Sequence, residues 1–136
     1  WSLIAAQGAL AVGLISWALA HWQIAGSEVG ALHVLGLGAV GGMTLAVMSR
    51  ATLAHSGRPL RVPGPVAIGY GAILVATLMR WAGAFHSDGL YFLLMLLSGA
   101  LWIFAFAMFL ICFGGALIGP RLQKPAVSPP PTMSGE

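Results

Sequence analysis

The chain has 136 residues, of which 59% are hydrophobic and only 7% charged, with a formal net charge of +3. A soluble domain carries about 25% charge, so this composition cannot cover a water-facing surface and excludes an ordinary soluble enzyme. It indicates an integral membrane protein, in which the cations act as topology signals rather than as a nucleic-acid footprint.

Four apolar segments are long enough to span a bilayer, which predicts an all-α, four-helix membrane bundle. The first covers about 3–21 and the second about 32–48. The third covers about 65–84, with Pro63 and Pro65 at or before its first turn, where proline is tolerated. The fourth covers about 91–113. The connections are short, so neighbouring helices are expected to run antiparallel. The remainder, 121–136, is rich in proline and polar residues and reads as a disordered tail. The chain starts at Trp1 inside what already looks like a span, which points to a piece of a longer polytopic protein.

Arg50, Arg58, Arg61, Arg121 and Lys124 lie in the second connection and the tail, whereas the other two connections carry Glu28 and Asp88. The positive-inside rule then places both termini in the cytoplasm. It places His21, His33 and His86 near the outer face and His55 near the inner one.

Imidazole is a common ligand for haem iron and also suits copper. His21, His33 and His86 fall at similar depth on adjacent spans, and two opposed histidines would make a six-coordinate haem site. They could equally cap helix ends at the interface. His55 lies about 33 Å along a continuous helix from His33 and cannot share its site. With Ser56 it is suited to shaping a loop or a helix end. Arg80 sits within the third span, where a charge is costly and marks a functional suspect. It could pair with Asp88, Glu28 or an anionic group, or it could snorkel to the headgroups. Trp81 beside it fits an interfacial belt. Gly38 and Gly42 form a GxxxG pair that admits a neighbouring helix; with Gly36 and Gly41 they could also leave room for a flat macrocycle. Cys112 excludes an internal disulfide, because it is the single cysteine. Met43, Met48, Met79, Met95 and Met108 could be soft copper ligands but are scattered, as core fillers are. Trp102, Phe104, Phe106 and Phe109 read as packing or lipid-facing residues. There is no nucleophile–base pair, phosphate loop or cysteine metal motif, so no catalytic constellation is recognised.

The stretch Ala31 to Leu60, ALHVLGLGAVGGMTLAVMSRATLAHSGRPL, resembles the NnrS family. It matches the family's sequence of a histidine, a GxxGGM helix, a V-M-x-R step and a GHTGRPL-like loop. Tyr70, Arg80, Leu101 to Phe109 and the closing GPR at Gly119 to Arg121 follow the same order more loosely. Ala54 and Ser56 stand where glycine and threonine are expected. The likeness covers about two thirds of the chain and corresponds to the carboxy-terminal portion of longer family members.

The resemblance implies a haem- and copper-containing protein of the bacterial inner membrane. It would be tied to nitric oxide, denitrification and tolerance of nitrosative stress. His33 would be the axial ligand and Arg80 would neutralise a haem propionate, with His21 and His86 as further cofactor-site candidates. His33 and His55 are the histidines that transfer best as metal ligands. The expected partners are membrane lipids, other helices of a larger protein and nitric oxide, with no nucleic acid. The alternatives are a non-enzymatic scaffold subunit docking through its glycine face and part of a transporter lined by Arg80 and the histidines.

Overall fold

The structure, a computed structural model, describes residues 2–119. Four helices, all long and apolar enough to cross a membrane, account for the fold: α1 (Ser2–His21), α2 (Glu28–His55), α3 (Gly64–Gly83) and α4 (Gly89–Ile118). The described residues form no strand. The chain is an all-α bundle whose successive helices are joined by the short connections 22–27, 56–63 and 84–88. The expected tail, 121–136, lies outside the described residues.

The helix ends follow from local chemistry. Ser27 caps α2, its Oγ accepting from the Gly30 N–H at 3.4 Å. Glu28 then places a carboxylate at the positive end of the helix dipole. Asp88 caps α4 through the Leu90 N–H at 3.2 Å. Asp88→Ala removes that acceptor and is expected to cost about 1 kcal/mol, read as a lower unfolding temperature in detergent.

Two helices are longer than hydropathy alone predicts. α2 starts at Glu28 rather than Leu32 and continues through Ser49 and Arg50 to His55 instead of ending at Met48. α4 runs on to Ile118. The stop of α2 is a glycine cap. Gly57 adopts φ 72°, its N–H bonds the Ala54 carbonyl at 3.4 Å, and the Arg58 N–H bonds the Leu53 carbonyl at 3.1 Å. That pairing satisfies the last carbonyls of the helix, and a residue with a Cβ would be strained there.

Within α2, Val34–Gly41 winds as a π-helix. The segment VLGLGAVG contains three glycines, the residue with the least side-chain constraint on backbone geometry. The wider i→i+5 winding turns the side chains that follow it to a different face from those that precede it.

α2 is the central element. α3 packs along α4, and α1 packs on α2 along most of its length to a similar extent. The dense core lies toward the end of the bundle that carries the arginine-rich connection. There Leu45, Val66, Phe109 and Phe113 are fully buried. α2 meets α4 mainly through its Gly42–His55 portion, and α1 and α3 scarcely touch.

Close approach depends on glycine at a few points. A Cβ on Gly69 would stand 3.2 Å from the Ala105 carbonyl oxygen, which fixes the α3–α4 seam. One on Gly38 would stand 2.9 Å from Thr77 Cγ2 and 3.1 Å from Ala9 Cβ, at the point where α1, α2 and α3 converge.

Candidate functional site

His33 lies in the second turn of α2, immediately before the π-helical segment. Its Nδ1–H donates to the Val29 carbonyl at 2.6 Å. That bond orients the ring and directs the lone pair onto Nε2, which has no hydrogen-bond partner among the described residues. Metal-ligating histidines commonly have this arrangement, with the second ring nitrogen held by a backbone carbonyl or a carboxylate.

Arg80, in the last turn of α3, lies within electrostatic reach of His33. Neither acid proposed from the sequence as its counter-ion pairs with it. Glu28 holds His21, with Nδ1 to Oε1 at 3.2 Å, and Asp88 caps α4. Among the described residues, the guanidinium has no carboxylate within ion-pair distance.

Three residues beyond His33, α2 presents an open stripe. A Cβ added to Gly36 would meet nothing within 4 Å. Leu32 and Val40 are 55% and 64% exposed. Further along, the Trp102 indole of α4 lies over Gly41, with Nε1 3.3 Å from where a Cβ would be. The glycines of α2 therefore divide. Gly38 is filled by helix packing, Gly41 is covered by an indole, and Gly36 faces open space.

His21 and His86 lie at the same end of the bundle as His33, each with its own local partner. His21 stacks on Trp17 at a centroid separation of 5.6 Å besides its bond to Glu28. His86 shows the same arrangement as His33, donating from Nδ1 to the Ala82 carbonyl at 3.0 Å, but stands past the end of α3 in the connection 84–88. His55 closes α2 at the opposite end. Among the described residues, no three histidine, cysteine, aspartate or glutamate side chains converge as a metal-binding group.

A feature not read from the sequence is a trench between α1 and α3, floored by α2. Two adjoining apolar cavities of about 150 and 330 Å³ share Ala5, Ala9, Leu74 and Thr77. At the arginine-rich end, a third cavity of about 510 Å³ shares Ser2, Ala67 and Tyr70 with the first and is lined by Arg50 and Arg61. No motif announces it, because it arises from two helices that fail to meet.

The fold is that of a polytopic helical membrane protein with a backbone-held histidine near one end of the bundle and, close to it, an arginine with no carboxylate partner among the described residues. The family model described as NnrS protein matches residues 1–121, and the chain belongs to the NnrS family. No curated protein and no solved structure matches it.

Proposed function

We propose that this chain is a haem-binding part of an NnrS-type protein of the bacterial inner membrane, acting in the response to nitric oxide. The observation that carries the reading is His33, with Nδ1 committed to the Val29 carbonyl, Nε2 left for a ligand and Arg80 within electrostatic reach. Family membership supplies the context.

The donor set fits haem. One neutral imidazole is a sufficient axial ligand, Arg80 offers an unpaired cation for a carboxylate substituent, and the open surface at Gly36 gives a flat ligand access. When bound, haem would supply an iron centre able to take up nitric oxide. The protein's own part is to orient the imidazole, to provide a positive charge near the membrane surface and to hold an apolar wall beside the ring. Copper fits less well. His33 and His55 sit at opposite ends of α2, and the described residues offer neither of them a set of converging ligands. The proposal is therefore confined to haem.

Titration of haem into the full chain, purified in detergent, tests this directly. A saturable Soret band at one haem per chain is the expected outcome, with a spectral change when nitric oxide is added to the reduced sample. An absorbance that never rises above that of haem in empty micelles would overturn the reading.

A further inference from the structure

The trench between α1 and α3 has the polarity of an amphiphile. Its arginine-lined end draws Arg50 from the penultimate turn of α2 and Arg61 from the following connection into one cavity of about 510 Å³. Neither arginine has a carboxylate within ion-pair distance among the described residues. From there the cavity opens past Ser2 and Tyr70 into the apolar stretch. That stretch continues to Val12 and Leu78.

From Ser2 to Val12 along α1 is about 15 Å at the helical rise, the depth of one leaflet of a ~30 Å hydrocarbon core. The walls are unusually slim, with Ala5 and Ala9 on one side and Gly71 on the other. Two guanidinium groups at a membrane surface suit a phosphate, and basic pockets between membrane helices bind anionic headgroups.

We propose that this trench is a binding site for an anionic phospholipid. The phosphodiester is held between Arg50 and Arg61, and one acyl chain lies along the trench against Ala5, Ala9, Gly71 and Leu74. The site is separate from His33. That residue does not line the trench, whose floor on α2 is formed by Val34, Gly38 and Gly42.

Native mass spectrometry of the full chain in detergent, with dioleoylphosphatidylglycerol and dioleoylphosphatidylcholine added separately, tests the proposal. Phosphatidylglycerol should bind at one molecule per chain and outcompete phosphatidylcholine. Arg50→Gln and Arg61→Gln should each weaken it about fivefold. Arg58→Gln, which removes an equal charge outside the cavity, should leave binding unchanged. Gly71→Leu fills the trench without touching the arginines, since nothing lies within 4 Å of its Cβ position. It should weaken phosphatidylglycerol binding while the far-ultraviolet circular dichroism stays unaltered.

Equal retention of the two lipids, or equal losses from Arg58→Gln and Arg61→Gln, would overturn the proposal. So would displacement of the lipid by millimolar inorganic phosphate together with an inert Gly71→Leu, because the site would then recognise free phosphate alone.

Discussion

On the haem-binding reading, His33→Ala is expected to abolish the Soret band of the purified chain, and His55→Ala is expected to leave it intact. The contrast follows from the placement of the two residues on α2. His33 has its Nδ1 fixed by the Val29 carbonyl and stands three residues before the open position Gly36, whereas His55 is in the last turn before the Gly57 cap. Arg80→Gln should keep the band but weaken haem binding about ten- to a hundredfold, the range for one hydrogen bond to a charged group. Arg80→Lys should restore part of that affinity, because a lysine keeps the charge and loses the two-pronged geometry. If His33→Ala and His55→Ala bound haem equally well, the axial-ligand role would fall to another residue. If Arg80→Gln had no effect, the propionate role would be excluded while the ligand role of His33 stood.

Much of the bundle was legible from hydropathy because a membrane span must be apolar over its whole hydrocarbon depth. The helix ends were less so, because helices extend past that depth into polar sequence. Ser27 and Gly57 are the signals that bracket α2 more closely than hydropathy, one as an N-cap and the other as a left-handed C-cap. Ser49 and Arg50 looked like the start of a loop for the same reason; they are helical because nothing before Gly57 stops the winding.

The candidate site was half legible. The Val29–His33 bond needs only an i, i−4 spacing and is local. The electrostatic proximity of Arg80 depends on how α3 packs against α2, and the loss of its two proposed acidic partners depends on caps and loop geometry. The π-helical winding of Val34–Gly41 and the gap between α1 and α3 are properties of packing that no single-residue pattern encodes. The resemblance over Ala31 to Leu60 identified the family but could not separate the packing glycines from the open one.

That separation is open to direct test. Gly38→Leu is expected to be the more destabilising of two matched substitutions, and Gly36→Leu the more damaging to haem binding. At Gly38 even the first added carbon meets Thr77 Cγ2 at 2.9 Å and Ala9 Cβ at 3.1 Å. Thr77 is β-branched, is buried and donates its hydroxyl to the Ile73 carbonyl at 2.8 Å, so it has little freedom to turn away. Leucine there forces α1 or α3 off α2, and overpacking of this kind costs about 1–3 kcal/mol. A lower unfolding temperature in detergent measures it. At Gly36 nothing lies within 4 Å, so leucine should leave the unfolding temperature within error, and its side chain would project from the exposed stripe of α2 three residues past His33. A macrocycle lying along that surface would be displaced, and haem affinity would fall with no loss of fold. If Gly36→Leu bound haem as tightly as the parent chain, the open glycine would have no part in admitting the cofactor. Equal unfolding temperatures for the Gly38 and Gly36 variants would mean that the three helices do not converge as closely as the Gly38 contacts require.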